Sequence, residues 1–155
     1  IRLMFNPRVV ANKIIEVIEL GGTVFIGGNG GSACEASHFS GELVGKFRKE
    51  RRALPCFDLT AHTSAITAIA NDYGYDFVFS RQLEAFAKKG DMLITLSTSG
   101  KSLNVLQAIH TAKSIGMYHY PFPTNIECGT ETYVTQNYHL ELVHQICEMV
   151  EDHFV

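Results

Sequence analysis

The sequence predicts an α/β fold: a parallel sheet with helices on both faces. Three observations carry that expectation. First, the short apolar runs Thr23-Val24-Phe25-Ile26, Leu54-Pro55-Cys56-Phe57-Asp58-Leu59 and Met92-Leu93-Ile94-Thr95-Leu96 alternate with longer helical stretches. Second, the central runs are continuously apolar, as strands covered on both faces are. Third, two of these runs lead straight into ligand-type loops that open helices. The 155 residues, 46% apolar, make one domain spanning 1–155. A chain of this length buries roughly two thirds of its unfolded surface and needs no metal or disulfide to fold.

Taken in order, Asn6-Pro7 reads as an N-cap followed by Pro at the first helical position. That helix extends to about Glu19, with Val9, Val10, Ile14, Val17 and Ile18 to one side, and Gly21-Gly22 stops it. The first strand follows, then Gly27 to Ser32, then a helix from Ser32 to about Phe47. Lys46 to Arg52 is a basic loop before the second strand. Thr60 to Ala70 reads as a short helix, and Asp76 caps another through about Ala87. The third strand is Met92 to Leu96, and Ser97 to Ser102 leads into a helix ended by Gly116. A parallel sheet then needs a strand, but Tyr118 to Phe122 holds Pro121, which fits only an edge. Either an edge strand lies there or residues are missing between Met117 and Tyr118. The last helix is expected from Thr132 to about His153.

A net charge of −3 and a pI near 6.2 argue against a surface built to coat nucleic acid or membrane. No apolar run approaches the roughly 18–20 residues that span a bilayer. Ile1 to Pro7 has neither the apolar core nor the cleavage site of a signal peptide, and it lacks an initiating Met. The natural start is therefore expected further upstream. Cys34, Cys56, Cys128 and Cys147 form no Cys-x-x-Cys pair and read as reduced interior thiols of a cytoplasmic protein.

The two loops suit phosphate and hydroxyl groups. Glycines from Gly27 to Gly31 let the backbone approach a ligand closely, and Asn29 and Ser32 add polar side chains. Ser97, Thr98, Ser99 and Ser102 put four hydroxyls within six residues at a helix start. The plainer reading of each loop is a structural turn or a helix cap. Gly100-Lys101-Ser102 is no nucleotide P-loop, since Thr95 stands where that motif needs Gly. The dinucleotide spacing also fails, with Ala33 in the third glycine position.

His38 and Glu42, four apart on a helix, lie roughly 40° apart around its axis. Gln136 and His144, eight apart, lie about 80° apart. Imidazole, carboxylate and amide oxygen together suit zinc first among divalent ions. By spacing alone the signal is weak, since His-x-x-x-Glu occurs by chance and a lone helix histidine is more often a surface or core residue. His62 reads as a cap or loop residue, and His110 and His153 as solvated. His119 falls in the doubtful strand, and His139 reads as structural or as a support behind neighbouring ligands.

Together these stretches resemble the phosphoheptose isomerases of the sugar isomerase (SIS) domain superfamily. The matching segments are Gly28-Asn29-Gly30-Gly31-Ser32, His38-Phe39-Ser40-Gly41-Glu42-Leu43, Thr67 to Gly74, Ser97 to Ser102, and Gln136 through His144. The resemblance implies a three-layer αβα sandwich of flavodoxin-like architecture. It implies an enzyme that interconverts sedoheptulose 7-phosphate and D-glycero-D-manno-heptose 7-phosphate for surface glycans through an enediol(ate). It further implies zinc held at His38, Glu42, Gln136 and His144, with Glu42 and His144 as the acid/base pair. Substrate contacts would fall on Asn29, Gly30, Gly31, Glu42, Asn71, Asp72, Ser97, Thr98, Ser99, Ser102 and Gln136. A homotetramer with active sites between subunits is implied too, with no nucleic-acid or membrane partner. Three departures stand out. Val134 replaces the family's Arg, Asn137 replaces its acidic residue, and a Gly-rich segment and strand of about twenty residues after Met117 are absent. The competing readings are an isomerase of another ketose phosphate, a non-catalytic partner-binding relative, and a sugar-phosphate sensor.

Overall fold

The computed structural model describes residues 5–155; the opening Ile1 to Met4 lies outside the described residues. The chain runs α1 (Pro7–Glu19), β1 (Val24–Gly28), α2 (Gly31–Val44), β2 (Cys56–Asp58), α3 (Thr63–Asp72), α4 (Ser80–Phe86), β3 (Met92–Leu96), α5 (Leu103–Ile115), β4 (Tyr118–Pro121), α6 (Asn125–Cys128) and α7 (Thr132–Phe154). A 3-10 turn, Tyr75–Phe77, joins α3 to α4. All strand pairs are parallel, in the order β2-β1-β3-β4.

Local chemistry sets the element ends. The Asn6 side chain accepts a hydrogen bond from the Arg8 N–H at 3.0 Å, and Pro7 opens α1. Gly116 takes the left-handed conformation (φ 91°) that closes α5, which only glycine adopts without strain. The sheet is buried on both faces, hence the unbroken apolar runs of β1 and β3. Val24, Ile26, Met92, Ile94 and Leu96 pack with α1, α2 and α7. Phe25 and Leu93 pack with α4 and α5 and with the partly buried side of α3. The result is three layers, as expected.

Tyr118 follows α5 directly and forms an edge strand whose register pairs Met92 with Tyr118 and Thr95 with Pro121. Pro121 sits at the end of that edge strand, where its missing N–H interrupts no interior ladder. The Thr95 hydroxyl and His119 Nε2 lie 2.9 Å apart. Burial, aided by the charge of Lys113, lowers the His119 pKa to about 4.

Two expectations need correction. The helix from Asp76 to Ala87 divides into the 3-10 turn and the seven-residue α4. There the buried Gln82 amide donates to the carbonyls of Leu59 and Val78, and the Ser80 hydroxyl donates to that of Phe77. The thiols are all free, but only Cys147 is fully buried, while Cys34 is exposed.

Candidate active site

The chain leaves β1 toward β2 on one side and returns to β3 on the other. The C-terminal ends of β1 and β3 therefore flank the point where strand order reverses, the usual ligand crevice of such sheets. Both loops open there. A Cβ on Gly28 would lie 2.7 Å from the Leu96 carbonyl oxygen, so close approach of the two strand ends demands glycine. Gly30 has φ 59° and precedes α2 without a side-chain cap. Ser102 precedes α5, and it too makes no capping hydrogen bond. The plain capping explanation of Ser102 therefore fails. The helix starts keep backbone N–H groups unserved by side chains, which favours an anion.

A cavity of about 260 Å³ lies between the loops, walled by Asn29, Gly30, Gly31, Ser97, Thr98, Ser102 and Gln136 among others. These seven expected substrate residues come together. Ser99 does not line the cavity; its hydroxyl accepts from the Lys101 N–H at 3.1 Å. Asn71 and Asp72 close α3, hydrogen-bonded to each other at 3.0 Å, outside the cavity wall. Thr132, Asn104 and Tyr75 escaped sequence reading. Thr132 lines the cavity. The Asn29 and Asn104 amides exchange two hydrogen bonds of 2.8 Å, and the Tyr75 hydroxyl donates to Asn29 Oδ1 at 2.9 Å.

A second cluster forms where α2 packs on α7. His38 Nε2 lies 3.4 Å from Glu42 Oε1 and 3.4 Å from His144 Nε2. Phe47 stacks on the His144 ring at 5.7 Å between centroids. Gln136 is not in this cluster. It lies eight residues earlier on α7, about 12 Å of helix rise, with its amide against Gly31. Two imidazoles and a carboxylate are a zinc donor set. Among the described residues, no three His, Cys, Asp or Glu side chains converge on one point. The trio is thus a chain centred on His38, with donor chemistry that fits zinc.

The loop after α2 is pinned beside this cluster. Buried Arg51 donates to the carbonyls of Glu42, Leu43 and Gly45, satisfying the end of α2. Its Nε lies 3.3 Å from Glu151, also buried. Glu151 accepts the N–H groups of Arg48, Phe47 and Lys49. Burial raises the Glu151 pKa, but those N–H groups and Arg51 outweigh it and hold the carboxyl below its ordinary value. The expected basic loop is largely neutralised: Lys46 pairs with Glu50, Arg48 with Glu148 and Lys49 with Asp152. His139 is fully buried, its Nε2 2.6 Å from the Pro123 carbonyl, in keeping with a structural role.

Comparison with known proteins follows the same lines. The SIS domain profile matches residues 8–120. A probable phosphoheptose isomerase of Thermoplasma acidophilum is 43% identical over 94% of this chain and 87% of its own length. The phosphoheptose isomerase of Campylobacter concisus is 40% identical over 99% of this chain and 88% of its own. That match extends over 167 residues, more than the 155 present here, so the relative carries residues that this chain lacks. Among solved structures, the phosphoheptose isomerase of Neisseria gonorrhoeae superposes with a TM-score of 0.85 at 32% identity, covering 97% of this chain and 88% of that one.

Proposed function

The chain belongs to the phosphoheptose isomerases of the SIS domain family, and from that premise we propose that it interconverts sedoheptulose 7-phosphate and D-glycero-D-manno-heptose 7-phosphate. The single observation that carries this reading is the joining of two uncapped helix starts and five hydroxyl residues around one cavity at the sheet's switch point. Ser97, Thr98 and Ser102 would take the phosphate, with backbone N–H groups beside them. Asn29 and Gln136 would orient the sugar hydroxyls.

The reaction moves hydrogen between two carbons. A base removes a proton from C1 of the ketose while the C2 carbonyl oxygen gains one, giving the enediol. The O1 hydroxyl then releases its proton as C2 is protonated, giving the aldose. Glu42 and His144 share these transfers, a carboxylate and an imidazole being side chains that general acid–base work commonly uses. His38 would orient both, lying 3.4 Å from each. His38, Glu42 and His144 would hold the zinc ion, while Gln136, the fourth expected ligand, stands at the sugar-phosphate cavity against Gly31. When bound, zinc supplies Lewis acidity that favours charge on the sugar oxygens.

From Gly31 to Glu42 the rise of α2 is about 16 Å. A heptulose phosphate reaches only about 10 Å from C1 to phosphorus, at about 1.2 Å per bond. The separation favours sites completed between subunits, one holding the phosphate and another supplying the acid/base pair, as in the homotetramer that the family resemblance implies. Free thiols fit the reducing cytoplasm. Among the described residues no helix is long and apolar enough to cross a membrane. The product would feed surface-glycan assembly.

The test is an NMR time course with sedoheptulose 7-phosphate, before and after chelation. The expected outcome is an aldoheptose signal that vanishes on chelation and returns with zinc. No turnover by folded, zinc-loaded protein would sink the assignment.

A further inference from the structure

We propose that Asn104 and Tyr75 are positioning residues that fix Asn29 as a hydrogen-bond donor toward an oxygen of the bound sugar phosphate; this rests on the sugar-phosphate reading above. An asparagine amide offers two acceptor sites and two N–H donors. At Asn29 Oδ1 both acceptor sites are filled, by Asn104 Nδ2 at 2.8 Å and by the Tyr75 hydroxyl at 2.9 Å. Asn29 Nδ2 spends one hydrogen on Asn104 Oδ1 at 2.8 Å. One N–H remains. Because Asn29 forms part of the cavity wall, the group left for a ligand is a donor and not an acceptor.

The arrangement joins three distant segments, two of them acting on the loop that holds Asn29. Asn104 is 2% exposed in the first turn of α5, two residues after Ser102. A buried amide there must keep its partners, because leaving it unpaired costs more than a hydrogen bond ordinarily gains. Tyr75 comes from the 3-10 turn after α3 and is 55% exposed. Its hydroxyl can therefore be removed without opening the core. The same contacts tie the glycine loop to the helix that follows the hydroxyl loop, so both halves of the cavity share one register.

The experiment is a double-mutant cycle in the full chain: Tyr75→Phe, Asn29→Ala and the pair together. KM and kcat for sedoheptulose 7-phosphate are read with thermal midpoints. Tyr75→Phe is expected to raise KM about five-fold, the ratio of one ordinary hydrogen bond, to lower kcat by less, and to leave the thermal midpoint in place. In the Asn29→Ala background it should add nothing. Asn104→Asp, which can accept from Asn29 but no longer donate to it, should raise KM at least as much. An unchanged KM in Tyr75→Phe, or the same ratio with and without Asn29, overturns the proposal. If the wild type binds the sugar phosphate without isomerising it, the function above falls, and the same cycle in calorimetric Kd decides the role of Tyr75 by the same ratios. A wild type that binds no sugar phosphate overturns both.

Discussion

On the proposed reading Glu42 and His144 carry proton transfer and metal binding at once, so substitution at either would remove both. Glu42→Gln keeps the shape of the side chain while removing the base. It should lower kcat by about 10²–10⁴-fold, with the fold intact by circular dichroism; activity within three-fold of wild type would remove Glu42 from the chemistry. The glycines make a sharper contrast. A Cβ on Gly28 meets the rigid Leu96 carbonyl, whereas on Gly31 it meets the end of the Gln136 side chain. Gly28→Ala should cost about 1–3 kcal/mol of stability. Gly31→Ala should spare stability and weaken sugar-phosphate binding, as denaturant melts and calorimetry would show. At this scale the sequence was legible where a residue type advertises its chemistry: Asn29, Ser97 and Ser102 at the cavity, and the His38/Glu42 spacing. Asn104 was not legible, because a lone Asn in a helix start looks like any polar surface residue until the fold buries it.

The elements were read closely. Pro7 to Glu19 and Met92 to Leu96 fall where caps and apolar runs put them. The short α6 was missed although its Thr124–Glu127 capping box is a readable signal. What no pattern announced is the clamp between α7 and the loop after α2. Glu151, near the end of α7, holds the backbone of Phe47, whose ring rests on His144. Its folded-state pKa lies below the ordinary value, so it contributes stability that is fully present above the unfolded carboxylate range and is lost as pH falls through the folded value. Urea melts should show the wild type losing more stability between neutral pH and about pH 3.5 than Glu151→Gln, because the unfolded carboxyl titrates near 4.3. At neutral pH, Glu151→Gln should itself be destabilised, by up to about 3–5 kcal/mol. Equal acid sensitivity in the two proteins would assign the loss to other carboxylates.

At the scale of the whole molecule, the phosphate-type cavity and the histidine cluster occupy different stretches of α2 and α7. If subunits share sites, two inactive variants should complement. Glu42→Gln mixed and reassembled with Ser97→Ala/Ser102→Ala should regain up to about a quarter of the activity, the share of sites expected when intact halves meet at random. Unmixed variants should stay inactive, and mixtures that gain nothing would place each site within one chain. The sequence alone carried the α/β class, the first three strands, most of the helices and the resemblance to the family, because periodicity, caps and short motifs are local properties of the chain. Only the tertiary structure decided that Tyr118 to Pro121 pairs at the sheet edge and that His38, Glu42 and His144 gather while Gln136 stands at Gly31. It alone placed Asn104 and Tyr75 behind Asn29. Each of these depends on which distant segments share a burial site, and that is set by packing of the whole chain and not by spacing along it.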